Sequence, residues 1–117
     1  MQMHEISFGQ ATPIDGYGPG FFRVGGTVLQ GPICITETGA RSWGGMDDHA
    51  PLLALADQVD VIFLGTGAEI AHIPAALRST LEDAGIGVET MSSPAACRTF
   101  NVLLSEGRRV AAALLPV

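Results

Sequence analysis

The sequence predicts an α/β domain of three layers, in which a central mixed β-sheet is flanked by helices and joined by an additional N-terminal β-region. Three observations carry this expectation. Val61-Ile62-Phe63-Leu64 is a run of apolar β-formers with no polar face, the mark of a strand covered on both sides. Strand-like and helix-like segments then alternate to the end of the chain, which is the pattern of parallel strands joined by right-handed crossovers. Before this unit, short strand-like runs are separated by glycine and proline, as in antiparallel β-structure.

Taken in order, the residues up to about Thr36 read as β-structure broken by turns. Ile14-Asp15-Gly16-Tyr17-Gly18-Pro19-Gly20 is glycine-rich and reads as a loop or bulged connection. Phe21-Phe22-Arg23-Val24 is strand-like, and Gly25-Gly26 makes a turn. Thr27-Val28-Leu29, Gly31-Pro32 and Ile33-Cys34-Ile35-Thr36 then read as one strand with a kink at the glycine and proline. Glu37 to Gly45 reads as irregular. Asp47 or Asp48 is expected to cap a short helix through Leu52, Leu53, Leu55 and Ala56.

After the Val61–Leu64 strand, Pro74 suits the first position of a helix, where a missing N–H costs nothing. Ile73, Leu77, Leu81 and Ala84 give that helix its buried stripe, and Gly85 ends it. Val88 and its neighbours form the next strand. Ser93 is expected to cap the last helix, with Pro94 at its first position and Ala96, Phe100, Leu103 and Leu104 on its apolar face. Gly107 closes that helix, and Val110 to Leu115 is the last strand.

The chain has 117 residues, so residues 1–117 are expected to form a single domain. Hydrophobic residues make up 47%, enough for a core, and the formal net charge is -6. All six basic residues are arginines, with no lysine. An acidic surface without a lysine cluster argues against nucleic acid and against anionic membrane surfaces, and the local pair Arg108-Arg109 does not overturn that. No apolar stretch approaches the ~20 residues of a membrane span. The start, Met1-Gln2-Met3-His4-Glu5, has neither a basic segment nor an apolar run, so no secretory signal is expected and the cytoplasm is the expected compartment. Cys34 and Cys97 lie far apart, form no C-x-x-C and are expected to be free thiols.

The polar groups gather at one end of the expected sheet. Gly65-Thr66-Gly67 follows a buried parallel strand, where backbone N–H groups could approach a phosphate or carboxylate, or could simply make a tight turn. The dinucleotide fingerprint needs a third glycine and an immediate helix, whereas Ile70 stands at the third position and Pro74 delays the helix. Ser92-Ser93 should converge on the same turn, since open α/β sheets gather ligands at the carboxyl ends of their strands. Arg98 lies in the first turn of the last helix, where the helix dipole disfavours a cation. It would serve an anionic partner there, or a neighbouring acid such as Glu69 or Glu89, or solvent.

The ligand-binding candidates are therefore Gly65, Thr66, Gly67, Ser92, Ser93 and Arg98. Cys97 near the helix start has the position for a lowered pKa, with His72 as a conceivable base, but buried apolar cysteine is the commoner case. His4, His49 and His72 have no metal-ligand spacing, so neither a metal nor a cofactor is expected. Asn101 is expected to bond into a network near Gly65-Thr66-Gly67. Trp43 is either an exposed anchor or a plug over the sheet edge.

One ordered set of segments carries a resemblance. It comprises Tyr17-Gly18-Pro19-Gly20-Phe21-Phe22-Arg23-Val24, Leu64-Gly65-Thr66-Gly67, Gly85-Ile86-Gly87-Val88-Glu89-Thr90-Met91, Ala95 through Leu103, Glu106-Gly107-Arg108-Arg109-Val110 and Ala112-Ala113-Leu114. Together they resemble a widespread family of small domains of unknown function. Its eukaryotic members include mitochondrial complex I assembly factor 3 and an adipogenesis-associated protein. The resemblance covers nearly the whole chain and implies a three-layer α/β fold with a mixed sheet. It implies no established catalytic activity, and implies a role in respiratory complex I assembly for the mitochondrial branch. Ser92 stands where many relatives carry an aspartate, so no acid carries over to that position.

Two functional readings follow. The first is a non-enzymatic interaction or assembly module whose partner is a respiratory-complex subunit or assembly factor, with Trp43, Phe21 and Phe22 available to an interface. The second is a domain binding a small molecule or anion at the glycine turn, or an enzyme of unrecognised chemistry. A homodimer through a sheet edge or the N-terminal β-region is a further expectation.

Overall fold

The computed structural model describes residues 11–117. The expectations of β-structure before residue 11, and the reading of the Met1–Glu5 start, lie outside the described residues. The elements run β1 (Ile14–Gly18), β2 (Phe21–Val24), β3 (Thr27–Gln30), β4 (Ile33–Thr36), β5 (Gly39–Ser42), α1 (Ala50–Leu53), β6 (Val61–Gly65), α2 (Ala75–Asp83), β7 (Gly87–Met91), α3 (Ser93–Ser105) and β8 (Val110–Leu114). They form a three-stranded sheet, β1-β2-β3, and a five-stranded sheet in the order β5-β4-β8-β6-β7. The larger sheet is mixed. β6 runs parallel to β7 and β8, whereas β4 runs antiparallel to β8 and β5.

Side chains on a strand alternate between faces, and this sorts the core into two clusters. On one face Ile33, Ile35, Phe63, Val110, Ala112 and Leu114 pack with Ala96, Cys97, Phe100 and Leu104 of α3 and with Ile14, Phe22 and Val24 of the small sheet. On the other face Cys34, Ile62, Leu64, Ala111 and Ala113 pack with Leu52, Leu77 and Leu81 of α1 and α2. The result is the predicted three layers, with the small sheet sharing the α3 layer. The strand order explains the split. The β6–α2–β7 connection steps one way along the sheet, and β7–α3–β8 steps back over β6. Two crossovers of one hand but opposite direction place their helices on opposite faces.

Several local expectations need correction. Thr27–Thr36 is not one kinked strand. Gly31 adopts φ +74°, Pro32 has no N–H to continue a ladder, and β3 and β4 enter different sheets. The segment Glu37–Gly45 is not wholly irregular, because Gly39–Ser42 pairs with β4 as an edge strand. The first helix is a single turn that does not reach Ala56, and neither Asp47 nor Asp48 caps it. His49 holds the N-cap position without a side-chain bond, and the Asp48 carboxylate instead accepts from the Gly44 N–H at 3.0 Å. Pro74 stands at the N-cap of α2 with an extended ψ of 132°, one residue before the first helical position. Leu77 and Leu81 are the buried residues of α2, whereas Ala84 is exposed at the C-cap.

Trp43 is a plug. It is 4% exposed within the α1/α2 core, and its indole N–H donates to the Asp48 carbonyl at 2.9 Å. Phe22 is fully buried and Phe21 is half-buried, so neither offers the open aromatic surface the sequence implied. Among the described residues no helix is long and apolar enough to cross a membrane.

Candidate functional site

The carboxyl ends of β6 and β7 lie side by side, with Gly65 opposite Met91, and their chains leave for opposite faces. This is the switch point at which open α/β sheets usually hold ligands. The structure brings Gly65, Thr66, Gly67, Ser92 and Ser93 together there, and it also shows how each is used.

Ser93 is completely buried. Its hydroxyl accepts from the Gly67 N–H at 2.9 Å and donates to the Leu115 carbonyl at 2.6 Å. Its own N–H donates to the Gly67 carbonyl at 2.7 Å, and Leu115 N–H donates to Gly65 at 2.9 Å. One serine thus ties the ends of β6, β8 and α3. Gly65 has to be glycine for this, since a Cβ there would stand 2.7 Å from Ser93 Oγ and 2.9 Å from Ser93 Cα. Gly67 sits at φ +105°, where other residues are strained.

The cap of α3 is Ser92, not Ser93. Ser92 is extended (φ -63°, ψ 155°) and its hydroxyl accepts from Ala95 N–H at 3.3 Å. Ser93 and Pro94 are the first two helical residues, so the shift of one position turns Ser93 inward. Thr66 organises the loop after the turn. Its hydroxyl donates to Glu69 at 2.7 Å, with Met91 as a longer alternative acceptor at 3.2 Å, and accepts from Ala71 N–H at 3.0 Å. An open hollow of about 290 Å³ lies next to that loop, lined by Ile70, Ala71, His72 and Thr90.

Arg98 does not join this group. It is exposed on the outer face of α3, away from the buried face that carries Ser93, Ala96, Cys97 and Phe100. With Thr99, Val102 and Leu103 it lines a shallow, mainly apolar hollow of about 270 Å³. Among the described residues it forms no salt bridge with Glu69 or Glu89.

Cys97 is buried, and burial pushes its thiol up to about 11, which outweighs the opposing pull of Arg98. Its position near a helix start therefore does not lower its pKa, and Cys97 is the buried apolar cysteine that the sequence reading preferred. Cys34 is likewise pushed up to about 11 by burial, with Arg41 opposing. The two thiols lie in different core clusters, on opposite faces of the sheet.

Asn101 is not part of a network at the glycine turn. Its carboxamide clamps the backbone of Ile14, accepting from Ile14 N–H and donating to Ile14 C=O, both at 2.9 Å. It thereby satisfies one residue of β1, an edge strand of the small sheet, and joins that strand to α3.

Sequence reasoning missed a second edge device. Arg78 pairs with Glu82 at 3.3 Å and donates to the Val88 carbonyl on β7, the outer strand of the large sheet, at 3.3 Å. Covering an edge carbonyl with a charged side chain discourages unwanted strand addition. The i,i+4 spacing of Arg78 and Glu82 was the available signal, but it does not reveal the carbonyl.

Among the described residues no buried side-chain nitrogen or oxygen lacks a hydrogen-bond partner, and no group of three or more His, Cys, Asp or Glu is placed to hold a metal. The fold and its switch point define a small three-layer α/β domain whose polar strand ends are bonded to one another.

Comparison with known proteins then gives the family. Residues 14–115 match a family described as a protein of unknown function, DUF498/DUF598, and the chain belongs to it. An uncharacterised protein of Rhodobacter capsulatus is 54% identical over 117 residues, covering 100% of this chain and 94% of that protein. NADH dehydrogenase [ubiquinone] 1 alpha subcomplex assembly factor 3 of Danio rerio is 34% identical over 113 residues, covering 90% of this chain. The chain spans 64% of the length of that assembly factor.

Among solved structures, one described as an outer membrane protein from Bartonella henselae superposes with a TM-score of 0.83 at 39% identity, covering 92% of this chain and 96% of that one. A Bordetella pertussis protein described as a Mth938-like domain gives a TM-score of 0.77 at 27% identity, covering 99% and 92%.

Proposed function

We propose that this chain is a protein-interaction domain of the assembly-factor type, acting in the assembly of respiratory complex I. The observation that carries the reading is the similarity to assembly factor 3 along 90% of the chain. The internal bonding of the switch point supports it, because the Ser93 hydroxyl has its donor and acceptor partners within the chain. Recognition then falls to outer surfaces. In this role the chain works in the cytoplasm and binds complex I subunits or other assembly factors.

The experiment is affinity capture of the tagged protein from its native cells, beside an Arg98→Ala control, combined with native-gel analysis of complex I after deletion of the gene. The expected result is reproducible recovery of complex I subunits or their assembly factors and a loss of the assembled complex on deletion. Normal complex I in the deletion strain, with no such subunit recovered, would overturn the reading.

A further inference from the structure

Away from the switch point, a hollow of about 150 Å³ opens between the β4–β5 hairpin and the α1 segment. Cys34 and Arg41 are register partners on the two strands, so their side chains share one face of the sheet. Both line the hollow, together with Thr36, Thr38, Leu55 and Gln58. The volume is comparable to the ~150 Å³ engineered apolar cavity that accepts benzene.

The polar groups there are biased toward donation. Thr36 and Thr38 hydroxyls lie 2.9 Å apart, and Thr36 Oγ1 also accepts from Thr38 N–H at 3.1 Å. Two hydroxyls share one hydrogen bond, so whichever donates, the other keeps a proton for a further acceptor. Arg41 adds five N–H donors and a full charge. Gln58 donates to the Ala54 carbonyl at 3.3 Å. Leu55 and the protonated Cys34 thiol supply apolar wall.

A smaller adjoining hollow shares Thr36, Thr38 and Gln58 and brings in Glu37 and Arg109; Glu37 does not line the larger hollow itself. That arginine already pairs with Asp60 at 3.3 Å, which leaves Arg41 as the charge that would face a ligand. The chain's net charge of -6 works against anions at long range, so selectivity for an anion rests on the local arginine and hydroxyl donors.

We propose that this hollow is a binding site for a small organic carboxylate with a short apolar body, its carboxylate on Arg41 and the free threonine proton, its body against Leu55 and Cys34. The site is separate from the assembly reading and does not depend on it.

The test uses the full chain and benzoate as probe, followed by two-dimensional amide NMR. Benzoate should shift the amide signals of residues 34–41 and 52–58 saturably. The neutral isostere benzamide should bind about tenfold or more weakly, and so should benzoate to Arg41→Gln, since a charge-assisted bond is lost. Arg41 is exposed, so this variant should keep the wild-type spectrum elsewhere. Ala54→Leu, which adds bulk at a lining residue of the hollow without touching the charge, should also weaken binding. Non-saturable shifts, shifts centred elsewhere, or equal affinity in Arg41→Gln would each overturn the proposal.

Discussion

Replacing Ser93 by alanine isolates the contribution of the joint between β6, β8 and α3. The hydroxyl accepts from Gly67 N–H at 2.9 Å and donates to Leu115 C=O at 2.6 Å, in a residue with no solvent exposure. Alanine keeps the helix and removes one oxygen. The Gly67 N–H, on a buried residue, then has no acceptor, which costs about 1–3 kcal/mol. The Leu115 carbonyl is only partly covered, so its loss adds about 0.5–1.5 kcal/mol. The sum is roughly 2–4 kcal/mol, or a fall in Tm of roughly 10–20 °C for a chain of this length.

Urea and thermal denaturation followed by circular dichroism would read this, with an unchanged m-value showing that the denatured state is the same. Ser92→Ala is the comparison. It removes a cap bond of 3.3 Å, near the weak end of the ~0.5–2 kcal/mol range for such caps. Ser93→Ala should therefore cost more than Ser92→Ala. A loss below about 1 kcal/mol for Ser93→Ala, or the reverse order of the two variants, would refute the assignment of Ser93 as the joint.

Asn101→Leu should lose roughly 2–3 kcal/mol by the same denaturation, because both bonds to Ile14 disappear and β1 loses its tie to α3. Gly65→Ala should cost roughly 1–3 kcal/mol or more, since the new Cβ meets Ser93 Cα at 2.9 Å and Leu114 Cδ2 at 2.8 Å; a wild-type melting curve would contradict that packing. Burial makes Cys34 and Cys97 hold their protons to about 11 in the folded chain, against 9.0 for an ordinary thiol. The unfolded chain therefore loses these protons first as pH rises. Stability is fully present below pH ~9 and falls between ~9 and ~11, by up to roughly 2–3 kcal/mol per thiol. Denaturation against pH should show that decline, and Cys34→Ala/Cys97→Ala should flatten it. Both thiols should resist alkylation at neutral pH until denaturant is added.

The parts of the fold legible in the sequence were those with a continuous pattern. Val61–Leu64 announced a strand covered on both faces, and it is the parallel strand between β7 and β8. The proline and glycine punctuation located α2 and α3 within a residue or so. What the sequence did not show were relations between distant segments. Nothing local says that Thr27–Gln30 and Ile33–Thr36 part company at Gly31-Pro32, because each half reads equally well as strand and the separation is decided by packing. Ser92 and Ser93 are chemically alike, and the choice of cap rests on which hydroxyl finds Gly67 and Leu115. The convergence of Gly65, Thr66, Gly67, Ser92 and Ser93 was legible, because strand ends gather in any such sheet. Arg98 was misplaced from the group because helix position gives a turn but not the face that a neighbouring layer will cover. Asn101 was rightly read as a structural side chain, but its partner lies 87 residues away.

The internal bonding of the switch point also bears on where this domain can change without losing its fold. A crevice lined by free donors could change its occupant through single substitutions. Here the donors at the strand ends are part of the sheet: Gly67, Ser93 and Leu115 form one connected set, and Thr66 holds the following loop through Glu69 and Ala71. A change at any of these positions acts on β6, β8 and α3 together. The outer face of α3 is different. Arg98 and Val102 are exposed there, Val102 at 55%, and neither contributes to the buried face of the helix. Surface substitutions of that kind usually change stability by no more than about 0.5 kcal/mol. Arg98→Ala is therefore the informative control for function. It should leave the melting curve in place, so any loss of partner capture in that variant reports recognition by this face and not damage to the fold.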